Sequence, residues 1–111
     1  MIEEMTQRQL APLDVYRHLA ARKDLEVIRN EMDVTCTVRT LRRLVIDTAR
    51  APSFVGAILA DTPIELAPAI RRLLDGWFVG GVSEREHLRA LRRAVVAIDQ
   101  LRTSMQRGLG Q

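Results

Sequence analysis

The side chains best suited to binding chemistry in this 111-residue sequence are its arginines, of which there are sixteen against one lysine. A guanidinium group donates paired hydrogen bonds to phosphate or carboxylate. Three arginine pairs stand four residues apart, the spacing of neighbours on one side of an α-helix: Arg39 and Arg43, Arg85 and Arg89, and Arg89 and Arg93. Such like-charge pairs cost a few tenths of a kcal/mol each, whereas alternating signs would stabilise the helix. The spacing therefore favours an anionic partner.

The arginines form two stripes when residues are placed at about 100° per position on two predicted helices. The first stripe lies on a helix from 38 to 50, with Ile46 at its centre and Asp47 at its margin. The second lies on the last helix, between flanking acids. Together they supply the candidate nucleic-acid-binding residues Arg39, Arg43, Arg50, Arg85, Arg89, Arg92, Arg93 and Arg107. The opposite, core face of the first helix comprises Leu41, Leu44, Val45 and Thr48.

Charge is distributed unevenly along the chain. Residues 1–36 hold five basic and seven acidic side chains, a net charge of −2, while residues 37–111 hold twelve and seven, a net charge of +5. A clustered charge raises a local potential that the overall net charge of +3 does not express. Two interpretations of the stripes remain open: contact with phosphates, or contact with protein acids and solvent.

Several classes of protein are disfavoured by the composition. The one cysteine, Cys36, excludes an internal disulfide framework and a multi-cysteine zinc site, so a reducing, cytoplasmic setting is expected. His18 and His87 are too far apart in sequence to suggest a metal motif, and there is no glycine-rich phosphate loop. The first residues, MIEEMTQRQL, resemble neither a signal peptide nor a membrane anchor. We expect no enzyme activity, no catalytic residue, no cofactor, no metal and no membrane partner.

The periodicity predicts an all-α fold, a single compact bundle of about five helices over residues 1–111. A helix begins at Pro12 and either breaks near Lys23, with Asp24 capping a second piece, or is buried on two sides. The segment 34–38 is rich in β-branched residues and is expected to be an extended joint or a helix entry. The next helix spans 38–50 and ends before Pro52.

Capping signals divide the second half of the chain. Ser53 is expected to cap a short apolar turn over 54–59, and Thr62 and Glu65 form a capping box that opens the next helix. That helix should carry Trp77 inward, bend where Pro68 stands early in it, and end at Gly80 and Gly81. A second capping box, Ser83 to Glu86, opens a helix that ends near Gln106. Its expected core stripe is Leu88, Leu91, Ala94, Val95, Ile98, Leu101 and Met105.

Two further features bear on binding. Arg102 falls on the apolar face of the last helix, where it either extends to solvent along the surface or forms a buried ion pair, for example with an N-terminal acid. Trp77, Phe78 and Val79 lie together before two glycines. They are either core residues or a protein-interface patch for another subunit.

The segment from Leu88 to Ala94, LRALRRA, resembles a helix in the small helical subunits of multisubunit CRISPR effector complexes. The resemblance covers seven residues, and small size, helical character and basic faces are similar too. It implies a non-catalytic subunit of a nucleoprotein complex, in several copies along a guide RNA, that supports the guide–target duplex and the displaced DNA strand. It also implies that Arg89, Arg92 and Arg93 contact nucleic acid.

Three alternatives accompany that hypothesis. A protein-binding helical adaptor or inhibitor would dock on an acidic partner surface, with Trp77, Phe78 and Val79 at the interface and arginines at its rim. A helix-turn-helix regulator would use residues 53–79, although Pro68 stands in its recognition helix. A helical-bundle enzyme would use Arg102 as its inward charge.

Overall fold

The computed structural model describes residues 10–109, and every regular element within that range is helical. A short 3-10 turn, Ile64–Leu66, lies between the fourth and fifth α-helices. The described range contains six α-helices, one more than expected, and confirms the all-α prediction. They are α1 (Pro12–Ala20), α2 (Leu25–Glu31), α3 (Val38–Arg50), α4 (Pro52–Ala60), α5 (Ala67–Leu74) and α6 (Glu84–Leu109).

The long helix α6 packs against α1, α3 and α5 and supplies one side of the core. Its inward residues recur at the three-to-four spacing of a helix face, as the sequence predicts. His87 belongs to the same row, one turn before Leu91, and is buried although it is polar. The buried residues of α6 are His87, Leu88, Leu91, Ala94, Val95 and Ile98, whereas Leu101 and Met105 are only partly covered.

Three predicted helix starts are confirmed by side-chain caps. The Asp24 carboxylate accepts a hydrogen bond from the Val27 amide at 3.0 Å, so the chain breaks between α1 and α2. The Thr37 hydroxyl accepts from the Thr40 amide at 3.1 Å, and α3 has the predicted bounds. At α6 the Ser83 hydroxyl accepts from the Glu86 amide and donates to the Glu86 carboxylate. Each cap satisfies an amide that the first helical turn leaves without a partner.

The prediction for the start of α4 is wrong. Pro52, expected only to end the preceding helix, occupies the first turn of α4, and Ala51 is the N-cap residue in place of Ser53. A proline loses no hydrogen bond at this position, since the first amides of a helix have no partner within it. The Thr62 capping box is also absent, because the Thr62 hydroxyl donates to the Ile58 carbonyl at the end of α4.

The helix predicted to reach Gly80 ends at Leu74 instead. The helix thus ends six residues before Gly80, and directly after it Asp75 is extended and Gly76 adopts a φ of 84°, in the left-handed region that favours glycine. Trp77 is nevertheless buried, because the turn brings it back onto the core. Pro68 lies in the first turn of α5, where it does not bend the axis.

The core face of α3 differs from the predicted one. Ile46, placed by periodicity at the centre of the basic stripe, is 4% exposed, whereas Leu44 and Thr48 are only half-buried. The reason is that α3 is covered by α1, α2, α4 and α6, so more than one side of it faces protein. Arg39, Arg43 and Arg50 remain exposed.

Arg102 forms an ion pair with Asp61, at 3.0 Å, and also donates to the Asp61 backbone carbonyl at 2.7 Å. Of the two alternatives for Arg102 the ion pair is therefore present, with Asp61, which follows α4 and is 52% exposed, as its partner among the described residues. The acids of residues 1–9 lie outside the described range. The guanidinium lies over the Tyr16 ring, 5.4 Å from the centroid. Burial raises the pKa of Tyr16 above its ordinary value, and the nearby Arg102 charge opposes that shift.

None of the helices in residues 10–109 is long and apolar enough to cross a membrane.

Two glycines give opposite expectations for alanine substitution. Gly81→Ala should lower the free energy of unfolding by about 1 kcal/mol, because Gly81 has a φ of 85°. Gly56→Ala should raise it by about 0.5–1 kcal/mol, since Gly56 lies within α4 and an added Cβ meets nothing within 4 Å. Urea unfolding followed by circular dichroism measures both. A shift of the same sign in the two variants would contradict the assigned backbone conformations.

Candidate nucleic-acid interface

Arg85, Arg89 and Arg93 are exposed on the outer face of α6, opposite its buried row, and are here called the α6 arginine row. The capping box at Ser83 fixes where the helix begins and so which way each side chain points. At 1.5 Å of rise per residue, successive members stand about 6 Å apart and the row extends about 12 Å. This spacing is comparable with that of successive phosphates along a strand.

The α6 arginine row has no ion-pair partner within the described part of the chain. The described ion pairs involve other cations, namely His18 or Lys23 with Glu31, Arg43 with Glu84, and Arg102 with Asp61. Glu86 is the nearest acid in sequence, and its carboxylate accepts from Ser83. Three adjacent guanidinium groups therefore present their donors to solvent, where an anion can accept them in pairs.

Helix α3 adds further positive charge near the start of α6. Arg43 Nε donates to Glu84 Oε2 at 3.2 Å, which connects the outer faces of the two helices. This ion pair is exposed on both sides and contributes at most about 1 kcal/mol, so an anion could compete for Arg43. Arg39 lies one turn before Arg43, is exposed, and has no ion-pair partner among the described residues.

Arg92 lies at the flank of α6, where its guanidinium donates to the Lys23 carbonyl at 2.7 Å. Its side chain is half-buried, and burial lowers the pKa of Arg92 below its ordinary value while the Asp24 carboxylate opposes the shift. Arg92 therefore fastens the loop between α1 and α2 to α6. Although Arg92 was grouped with the outer arginines, the structure separates it from them.

Arg50 and Arg107 are also separate from the α6 arginine row. The Arg50 guanidinium lies over the Phe78 ring, 3.9 Å from its centroid, in a cation–π contact. Arg107 is exposed on the same side of α6 as Arg93, but fourteen residues further along, which is about 21 Å of helix. The predicted residues therefore form one row of three, with Arg43 connected to its start through Glu84, and four members outside it.

The predicted protein-interface patch is divided between core and surface. Trp77 is buried, Phe78 is half-buried and only Val79 is strongly exposed, at 55%. His87 stacks on Phe78, with centroids 4.0 Å apart and an interplanar angle of 12°. Since Arg50 is equally close to the ring, it must occupy the opposite face. Both faces of Phe78 are therefore covered, and Trp77 and Phe78 act mainly as core residues.

His87 is the residue of this region that sequence analysis missed. Its Nε2 atom lies 2.6 Å from the Val79 carbonyl and, because a carbonyl only accepts, must carry the proton and donate. The bond holds the 77–82 segment against α6. The signal was present in the sequence, since His87 lies one turn before Leu91 in the apolar row.

A second arginine pair lies on α5. Arg71 and Arg72 are exposed and line a shallow cleft of about 370 Å³ with Val55, Leu74 and Asp75. In a helix-turn-helix interpretation these would be the base-reading side chains, yet α5 has only eight residues.

Among the described residues, no group of three or more His, Cys, Asp or Glu side chains could hold a metal ion. Comparison with protein-family models, curated proteins and solved structures finds no match to this chain. Any function assigned to it therefore depends on the geometry of its own residues.

Arg92 and Arg89 should respond differently to alanine substitution although they are three residues apart. Arg92→Ala should lower the free energy of unfolding by about 1–2 kcal/mol, because the Lys23 carbonyl loses its charged donor. Arg89→Ala should change it by less than about 0.5 kcal/mol, since Arg89 is exposed and flanked by like charges. Urea unfolding measures both, and equal losses would contradict a structural role specific to Arg92.

Proposed function

We propose that this protein binds the phosphate backbone of nucleic acid through the α6 arginine row, without reading base sequence. The observation that supports this most directly is the row itself, three exposed guanidinium groups at about 6 Å spacing on a rigid helix, with no acid paired to them in the described part of the chain. Phosphate contacts of this kind supply affinity and orientation and depend little on sequence.

The like-charge spacing favours phosphate over a merely solvated surface. A soluble helix face is stabilised by acids four residues from bases, whereas here Arg85, Arg89 and Arg93 repel one another. An anionic partner relieves that repulsion and releases the counterions condensed on the nucleic acid. Arg43 on α3 adds a guanidinium group to this surface at the place where Glu84 connects the two helices.

The role proposed for the chain is that of a non-catalytic helical subunit in a nucleoprotein complex. The resemblance to small CRISPR subunits was based on LRALRRA, in which Arg89 and Arg93 are exposed while Arg92 is bonded within the chain. Two of the three matched arginines are thus available for backbone contact. RNA and DNA both present the phosphates that such a surface would bind.

The test is a salt titration with a fluorescently labelled single strand of mixed sequence. Wild-type binding should weaken steeply as salt rises, with little difference between unrelated sequences. Replacing Arg85, Arg89 and Arg93 together by Gln should reduce affinity on the order of tenfold or more and make the negative slope of log affinity against log salt less steep by about 2.

The matched control replaces Arg17, Arg71 and Arg72 by Gln, three exposed arginines outside the row, and so removes the same charge. It should retain most of the affinity and the salt slope. Equal losses in the two triple variants would show that only net charge matters and would contradict the assigned site. Absence of wild-type binding at low salt would contradict the proposed function as a whole.

A further inference from the structure

Beside the α6 arginine row is a small cleft lined by both aliphatic and charged side chains, and its aliphatic residues Val79, Val82 and Ala90 are here called the floor. It has a volume of about 210 Å³ and lies between the 77–82 segment and the first turns of α6. Val79 and Val82 are 55% and 38% exposed, which is unusual for aliphatic side chains in this protein. The lining residues are Trp77, Val79, Val82, Glu86, Arg89, Ala90 and Arg93.

The 77–82 segment, which supplies Val79 and Val82 to the cleft, is held in place by the surrounding structure. The His87 bond to the Val79 carbonyl fixes the 77–82 segment, and His87 itself is clamped by its stack on Phe78. Gly81, at a φ of 85°, turns the chain between Val79 and Val82. The cleft is therefore a preformed feature of the fold and does not depend on an ordering step when a ligand arrives.

We propose that this cleft receives one unpaired nucleobase, while Arg89 and Arg93 hold the phosphates on either side of it. The inference rests on the proposed function and gives it a substrate class: single-stranded nucleic acid in preference to duplex. Single-strand sites combine a basic surface with apolar or aromatic contacts to the base. Both parts are present here within the reach of two arginine side chains.

The lining of the cleft combines charged and aliphatic side chains. Glu86, Arg89 and Arg93 all line it, so phosphates next to the cleft can pair with the two arginines while the Glu86 carboxylate opposes an anion within it. An uncharged planar ring can contact the aliphatic floor of Val79, Val82 and Ala90, and the volume suits one such ring. A duplex keeps its bases stacked inside the helix, so it can use the arginines but not the floor.

The experiment compares one labelled strand with the same strand in duplex form at low salt. Wild-type protein should bind the single strand about tenfold more tightly than the duplex. Trp77 is the only tryptophan of the chain and lines the cleft, so its fluorescence should change on binding of the single strand and not of the duplex.

Replacing Val79 and Val82 together by Asn removes the apolar floor without altering charge. This variant should bind single strand and duplex equally, lose the Trp77 signal and retain wild-type duplex affinity. The control, with Val27 and Ile64 replaced by Asn, changes two exposed aliphatic residues elsewhere, which are 39% and 80% exposed. It should keep the wild-type preference for the single strand.

The possible outcomes distinguish a failure of the base cleft from a failure of backbone binding by the α6 arginine row. Equal wild-type affinity for single strand and duplex, or a preference that survives the Val79 and Val82 substitutions, would overturn the base cleft and leave backbone binding intact. Failure of the wild-type protein to bind either form would overturn both. Loss of duplex affinity in the Val79 and Val82 variant would overturn the separation of base and phosphate contacts.

Discussion

Burial of the inner face of α6 is the interaction on which the rest of the structure depends. One row of side chains on this helix packs against α1, α3 and α5. The apolar surface that this row removes from water is therefore buried together with that of three other helices. Because the side chains of a helix hold fixed angles around its axis, burying Leu91, Val95 and Ile98 also determines which residues face outward. The exposed position of Arg89 and Arg93 is a consequence of that core and needs no local interaction of its own.

The arginines of this protein have two distinct uses. Several of them donate to loop carbonyls: Arg29 to Cys36, Arg92 to Lys23 and Arg102 to Asp61. Loops and helix ends leave carbonyls without intrahelical donors, and a long, multiply donating guanidinium can reach them from a neighbouring helix. The other use is external, where the donors face solvent. A high arginine count therefore indicates anion binding only after the arginines that donate to carbonyls within the protein have been left out of the count.

The sequence was sufficient to predict a helix start where a hydrogen bond from a nearby side chain determines it. Asp24 and Ser83 each cap a helix within three residues, so their spacing indicated the start of α2, as one of two alternatives, and the start of α6, while apolar periodicity located α3. The sequence was insufficient to predict the position of a side chain that is determined by a tertiary contact. Trp77 is pulled onto the core outside any helix, and Arg92 differs from Arg89 because its neighbour in space is a loop nearly seventy residues away. Periodicity gives the angle of each residue around its helix axis but does not indicate which other part of the protein that residue contacts.

The exposed face of α6 is basic entirely through arginine, and this has a regulatory consequence. Guanidinium groups stay protonated across the physiological range, so the charge of the face does not follow cellular pH. Acetylation, which neutralises lysine side chains, has no target in the α6 arginine row. The one lysine, Lys23, is engaged with Glu31. Arginine methylation is the modification that this row can receive, and it would keep the charge while blocking paired hydrogen bonds.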